Sequence, residues 1–129
     1  MDQEPLVEDQ IVEGRKFVEL LDQAEDQPAV AFWLYMESFE AWRLVIGYRG
    51  TDVRTNPQKY FLMIAEQFEK MENTSLNIGE IRLTDLEDEL VQVLASVITT
   101  GPTLSNIRFK DNYINGIFIQ DAYIYRIDL

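Results

Sequence analysis

The chain has 129 residues, 47% of them apolar, and a formal net charge of −12. This length is typical of one domain with its own core, and the apolar fraction is too high for a disordered chain. The chain contains neither histidine nor cysteine, which excludes disulfides, structural zinc sites and nucleophiles activated by histidine.

The apolar runs predict a protein without a secretory or membrane segment. Residues 1–5 are acidic and lead into no apolar run, unlike a signal peptide. The longest uninterrupted apolar stretch, residues 29–36, is far shorter than the about 20 residues of a membrane span. Together with the lack of cysteine, this predicts a soluble protein of the cytoplasm.

The charges are unevenly distributed along the chain. Residues 1–40 carry eleven acids and two bases, residues 41–60 one acid and four bases, and residues 61–90 eight acids and two bases. The overall field repels phosphate backbones and anionic membranes, so we expect neither nucleic acid nor membrane as a partner. Two interpretations of the acids remain: they keep the protein in solution, or they form a face for a basic partner.

Residues 9–25 are predicted to form an amphipathic helix, because apolar side chains recur on one face. That face consists of Val7, Ile11, Phe17, Val18, Leu20 and Leu21. Gly14 lies inside the helix, where glycine costs about 1 kcal/mol relative to alanine, so packing must hold the helix in place.

Residues 30–36 and 42–48 are rich in aromatic and β-branched side chains and are predicted to form a hairpin across residues 37–40. Both faces of the first strand are apolar, which predicts a central strand covered on both sides, or covered on one side and half-covered on the other. Trp33 or Trp42, or both, are expected to be core residues on these adjacent strands.

The next segments predict two further helices with a strand between them. Asn56-Pro57 is a strong helix start, and the apolar side chains that follow at helical spacing are Tyr60, Phe61, Ile64, Phe68 and Met71. Residues 76–83 are predicted to be a strand. Thr84 and Glu87 have the spacing of a capping box for a helix that passes Val97 and stops at Gly101-Pro102.

Residues 104–127 are strand-like throughout, and two positions could hold their turn. Asn115-Gly116 is the best two-residue hairpin signal, whereas residues 110–112 are the more polar break. We place the turn at residues 110–112, with Gly116 as a bulge. Residues 1–129 are thus predicted to be a single α+β domain, with three helices packed on a largely antiparallel sheet of about five strands.

Several segments resemble a group of small uncharacterised bacterial proteins with no assigned function. They are residues 33–35, 42–46, 107–109, 114–116 and 121–126, the last being the most specific. The resemblance implies a free-standing bacterial protein of this length. It implies no activity, cofactor or catalytic residue.

Arg49 and Arg54 form the first candidate site. They flank the loop at residues 50–53, which leads to the helix start at Pro57. Arginine side chains and unpaired helix N–H groups together can bind a small anion. Alternatively, the arginines pair with neighbouring carboxylates. Arg43 is expected to lie too far along its strand to join them.

Asp121, Tyr123 and Tyr125 form the second candidate, a possible interaction face. Strand alternation places them on one face and Gln120 and Arg126 on the other. Tyrosine beside a carboxylate can stack on or hydrogen-bond a ligand, but the same rings can instead be packed against a helix.

These observations favour a non-enzymatic acidic interaction or regulatory module that binds a protein partner or a second copy of itself through a sheet edge or an aromatic face. No cofactor, metal or catalytic residue is predicted, and the acidic residues 87–89 are explained by the positive end of a helix dipole. The alternative is a small-anion-binding protein or a carboxylate-based enzyme that uses Arg49 and Arg54.

Overall fold

The computed structural model describes residues 5–129, apart from the side chain of Phe39, so residues 1–4 of the predicted non-secretory terminus lie outside the described residues. In chain order the elements are α1 (Glu8–Asp22), β1 (Val30–Met36), β2 (Ala41–Tyr48), α2 (Asp52–Thr55), α3 (Pro57–Phe68), β3 (Ile81–Asp85), α4 (Glu89–Ala95), β4 (Ile107–Ile114) and β5 (Ile117–Ile127).

The five strands form one mixed sheet in the order β3-β2-β1-β5-β4. The pair β2–β3 is parallel, and the other three pairs are antiparallel. Helices pack on this sheet, so the predicted α+β class with a largely antiparallel sheet is confirmed.

β1 is the central strand, as its two apolar faces predict. Its residues 30–34 are buried, and alternate side chains belong to two separate cores. Trp33 and Trp42, on the adjacent strands β1 and β2, are 0% and 5% exposed. The prediction that one or both tryptophans are core residues is confirmed, and both are.

One face of the sheet is covered by α1 and α3. Phe17, Val18 and Leu21 of α1 and Tyr60 and Ile64 of α3 are buried in the same core. Burial of apolar side chains at these spacings is the main force that holds two short helices on the sheet. The other face is covered by α4, whose buried residues are Val91, Val93 and Leu94.

Gly14 lets α1 approach the centre of the sheet. A Cβ atom at this position would lie 2.6 Å from Tyr125 Oη and 2.7 Å from Trp33 Nε1. Those two atoms are joined by a 3.0 Å hydrogen bond, and Tyr125 Oη donates to the Ile11 carbonyl oxygen of α1 at 2.5 Å. The absence of a side chain at Gly14 thus makes room for the contact that fixes α1 on the sheet.

Helix boundaries and exposed faces differ from prediction in several places. α1 ends at Asp22 instead of residue 25, and Val7 is 50% exposed. α3 begins at Pro57 as predicted, but Phe61 is 55% exposed because Tyr60, Met63, Ile64 and Gln67 form its buried face. The buried face of each of these two helices is therefore narrower than the apolar residues in its sequence suggest.

The predicted capping box at Thr84 and Glu87 is wrong. Thr84 and Asp85 belong to β3, which pairs with β2, and the predicted strand at residues 76–83 is mostly loop and a 3-10 turn. α4 begins at Glu89, and the Asp88 side chain accepts hydrogen bonds from the Leu90 and Val91 amides. Two cap-forming residues lie four positions apart here, and the second one caps the helix.

The predicted turn at residues 110–112 is also wrong. β4 and β5 are joined at Asn115-Gly116, whose φ angles of +51° and +82° fit a tight hairpin turn. Asp111 has φ +54° but lies within β4. On either side of it the core-facing positions change from odd (Ile107, Phe109) to even (Ile114). The polar break therefore marks an irregularity in the strand.

The described part of the chain contains no helix that is long and apolar enough to cross a membrane.

Replacement of Gly14 by alanine should destabilise the protein. Overpacking costs about 1–3 kcal/mol, which outweighs the about 1 kcal/mol that alanine gains over glycine in an exposed helix. Urea unfolding measures the change in the free energy of unfolding. As a control, Glu19→Gly and Glu19→Ala are compared on the exposed side of α1, where the two variants differ only in the helix propensity of glycine and alanine. An alanine variant as stable as wild type would contradict the role of Gly14.

Tyr48 and Tyr125 provide a matched test of buried hydroxyl groups, because both rings are at most 2% exposed. Burial raises the pKa of each hydroxyl above its usual range, so both are protonated at neutral pH. Tyr48 Oη has no hydrogen-bond partner among the described residues, whereas Tyr125 Oη accepts from Trp33 and donates to Ile11.

We expect Tyr125→Phe to cost about 1–3 kcal/mol, because it leaves the buried Trp33 N–H without a partner. Tyr48→Phe should lose less than about 0.5 kcal/mol or gain stability, because it removes a polar group that has no partner. Urea unfolding of both variants gives the comparison. Equal losses would show that the Tyr48 hydroxyl is hydrogen-bonded in solution.

Candidate functional site

Arg49 and Arg54 bind different carboxylates. Arg49 Nη2 lies 3.3 Å from Asp128 Oδ2 and donates to the Asp128 backbone carbonyl oxygen. Arg54 lies 2.9 Å from Asp85 and 2.9 Å from Glu87. The structure therefore does not bring the two guanidinium groups to one anion, and it matches the alternative in which each arginine pairs with a nearby acid.

The loop between these arginines contains the short helix α2 and leads to the start of α3, which the Asn56 side chain does not cap. Lys59 in the first turn of α3 lies 3.4 Å from Asp26, and this carboxylate raises the pKa of the lysine. Negative charge is already present on both sides of the predicted anion site.

Asp121 is held by Arg108. The carboxylate is 4% exposed and accepts two hydrogen bonds of 2.6 Å from Arg108, which raise the pKa of the guanidinium. Arg108 also lies 5.7 Å from the centre of the Trp42 ring. Both oxygens of Asp121 are therefore used inside the protein, which favours a structural role.

Tyr123 and Tyr125 lie on the same side of the sheet, with ring centres 5.6 Å apart. Tyr125 is fully buried beneath α1, and half-buried Tyr123 donates a 3.1 Å hydrogen bond to Asn106. Burial raises the pKa of Tyr123. Two of the three residues of the predicted interaction face are thus inside the fold, and Tyr123 alone reaches the surface.

Arg126 lies on the α1 side of the sheet instead of the opposite side. The register between β1 and β5 shifts at Ala31–Phe32, so that Tyr125 is an extra residue and alternation fails there. Arg126 is 3% exposed and donates to Asp22 at 2.8 and 3.0 Å and to the carbonyl oxygens of Pro28 and Pro102.

A surface that no sequence pattern indicated residue by residue lies between α1 on one side and, on the other, α3 with the segment 70–75 that follows it. The two helices are antiparallel, because Lys59 at the start of α3 meets Asp26 beyond the end of α1. Three open cavities of about 420, 290 and 270 Å³ lie along α1 from Asp9 and continue past its end to Glu25. We call this surface the α1–α3 groove.

The rim of the α1–α3 groove carries more acids than bases, although Lys16, Lys59 and Lys70 also line its cavities, and its floor is partly apolar. Asp9, Glu19 and Glu72 are exposed on the rim. The half-buried Leu20 and Met71 line the largest cavity. Acidic residues in the first forty positions were a visible signal, but their convergence with Glu72 required the packing of α1 beside α3.

Glu13 fixes one wall of the α1–α3 groove. Its carboxylate lies 3.0 Å from Lys16 Nζ, and hydrogen bonds from Lys16 and then from Thr74 lower its pKa. Glu13 therefore stays ionised at neutral pH and ties α1 to the segment that follows α3. In the described part of the chain, acidic side chains do not gather into a group of three that could hold a metal ion.

The buried and exposed ion pairs of aspartate with arginine should differ in their contribution to stability. Asp22→Asn removes the charge that neutralises buried Arg126, and we expect a loss of about 3 kcal/mol. The side chain of Arg49 is 55% exposed. Asp128→Asn, which removes its carboxylate partner, should therefore lower the free energy of unfolding by less than about 1 kcal/mol. Thermal and urea unfolding check both values, and equal losses would contradict the assignment.

Comparison with known proteins leaves the function to be argued from this geometry. No family model, curated protein or solved structure matches the chain. The resemblance to small bacterial proteins of unassigned function therefore stays a prediction from the residues that carry it.

Proposed function

We propose that this chain is a non-catalytic interaction module of the bacterial cytoplasm, which binds a basic and partly apolar segment of a partner protein in the α1–α3 groove. The observation that carries the proposal is the groove itself, an open surface along α1 with exposed carboxylates on its rim and apolar side chains on its floor.

The rim charges support a basic partner. Asp9, Glu19 and Glu72 have no lysine or arginine among the described residues within 4 Å of their carboxylates. The three cavities together are lined by six acids and three lysines, so the groove keeps a net negative field, which attracts cationic side chains and accelerates encounter.

The apolar side chains on the same helical layer support a partner that is also partly apolar. Val12, Phe61 and Leu62 are 42%, 55% and 64% exposed. Leu62 lines the cavity beside Ala24, and Val12 lines the cavity beside Asp9. A segment that alternates cationic and apolar side chains, such as an amphipathic helix, complements both features.

The length of the groove sets the length of that segment. The cavities follow α1 from Asp9 to its end at Asp22, which at 1.5 Å per residue is about 20 Å, and they continue to Glu25 in the following loop. A partner helix of about sixteen residues would cover it, and a shorter helix would fill only one or two cavities.

The proposal is tested with a fluorescein-labelled sixteen-residue amphipathic helix of lysine and leucine. We expect fluorescence anisotropy to show saturable binding that weakens at least about tenfold between 50 and 300 mM salt, because the attraction is screened. The triple variant Asp9→Asn, Glu19→Gln, Glu72→Gln should bind at least about tenfold more weakly.

The matched control is the triple variant Glu37→Gln, Glu40→Gln, Asp111→Asn. It has the same net charge as the groove variant, and its three positions are exposed and lie outside the groove. This control should bind the peptide nearly as well as wild type. Equal weakening in both variants would show that only the overall charge attracts the peptide, and it would remove the groove as a site.

A further inference from the structure

The β4–β5 hairpin carries an exposed aromatic pair at its tip. Tyr113 and Phe118 are 75% and 42% exposed, and their ring centres are 4.9 Å apart. They lie opposite each other in the β4–β5 register, next to the turn at Asn115-Gly116. This part of the hairpin extends beyond the last β1–β5 pair, Leu34↔Ala122, so β1 does not flank it.

A small pocket lies beside that tip. Its volume is about 160 Å³, and its lining includes Leu34, Met36, Glu37, Leu90, Phe118 and Ile119. An apolar cavity of about 150 Å³ is large enough to take up one benzene ring. We call this the end pocket, because it lies where β1 ends and faces α4 and β5.

We infer that the hairpin tip and the end pocket form a self-association surface, in which Tyr113 of one copy enters the end pocket of a second copy and the second copy's Tyr113 enters the first. Phe118 belongs to both features, since it stacks on Tyr113 and lines the pocket. The ring and its receptor therefore lie in one patch, as an interface with two-fold symmetry requires.

Charge favours this patch over the helical layer as a contact between copies. Within residues 107–127, Arg108 is paired with Asp121, Arg126 is buried against Asp22, and the exposed Lys110 and Asp111 cancel, so the hairpin has no net surface charge in a protein of net charge −12. Two hairpins without net charge do not repel each other. Two α1–α3 grooves would instead repel each other.

The outer edge of β4 does not supply an equally good contact. It carries Lys110, and the left-handed backbone of Asp111 interrupts the strand. A lysine and an irregular backbone are features that prevent edge strands from pairing with other chains. Self-association through side chains at the hairpin tip is therefore favoured over extension of the sheet.

Sedimentation velocity over a range of protein concentrations tests the inference on the full chain. We expect a reversible monomer–dimer equilibrium that Tyr113→Ala weakens at least about tenfold, because an aromatic side chain in a pocket is a typical hot spot. Ser38→Trp, which places a bulky ring at the pocket, should weaken the dimer in the same way. Circular dichroism confirms that both variants are folded.

Phe61→Ala is the matched control, because it removes an aromatic side chain of comparable exposure from the helical layer and should leave the dimer unchanged. Added salt should preserve or strengthen the dimer, since screening reduces the repulsion between two acidic proteins. A wild type that is monomeric at all concentrations would overturn the inference. So would a dimer that tolerates Tyr113→Ala or is lost in Phe61→Ala. None of these outcomes affects the α1–α3 groove, whose peptide binding weakens with salt.

Discussion

The hydrogen-bonded chain from Trp33 through Tyr125 to Ile11 is the contact on which the rest of the structure depends. It joins the central strand, its neighbour and the first helix in a region closed to water. A buried N–H or hydroxyl group without a hydrogen-bond partner lowers the stability of the fold. These two hydrogen bonds therefore favour one position of α1 over others that would bury a similar apolar area. Gly14 is the residue that permits it. The position of α1 also sets the shape of the α1–α3 groove, because α1 forms one of its walls.

Two arginine–aspartate pairs fix the sheet at other points. Arg126 ties the end of β5 to the end of α1 and to the loop carbonyls of Pro28 and Pro102. Arg108 ties β4 to Asp121 of β5 and covers the Trp42 ring. Both arginines near the carboxyl terminus are therefore used internally. Each pair joins one positive and one negative charge, so the net charge of −12 remains with the other charged groups.

Local sequence patterns predicted the elements whose own residues determine them. The two apolar faces of residues 30–36 identified the central strand, and Asn56-Pro57 identified the start of α3. The patterns failed where two local signals competed. Thr84 and Asp88 are both able to cap a helix. Because Thr84 belongs to β3 and pairs with β2, Asp88 caps α4. Residues 110–112 and Asn115-Gly116 both depart from strand geometry, and the β4–β5 register decided which of them turns the chain.

The candidate sites were harder to predict, because a site depends on contacts between distant segments. Arg49 and Arg54 are close in sequence but bind carboxylates in two distant segments, Arg49 to Asp128 and Arg54 to Asp85 and Glu87. Strict alternation misplaced Arg126 because one extra residue in β5 cannot be seen without its partner strand. Conversely, Glu72 meets the α1 acids only after α3 packs antiparallel to α1.

The distribution of charge over the folded protein gives its two proposed surfaces different physical properties. Carboxylates on the α1–α3 groove raise the local concentration of cationic segments, and they also keep two copies from meeting through their helical layers. The β4–β5 hairpin lacks this acidic excess. Contact with another apolar surface would remove its exposed aromatic rings from water, which is favourable. Contact between copies at the hairpin would leave both grooves accessible, because the groove residues and the end-pocket residues do not overlap. A dimer would then present two acidic grooves to one partner, and a partner with two basic segments would bind it more tightly than a monomer through the higher effective concentration of the second segment.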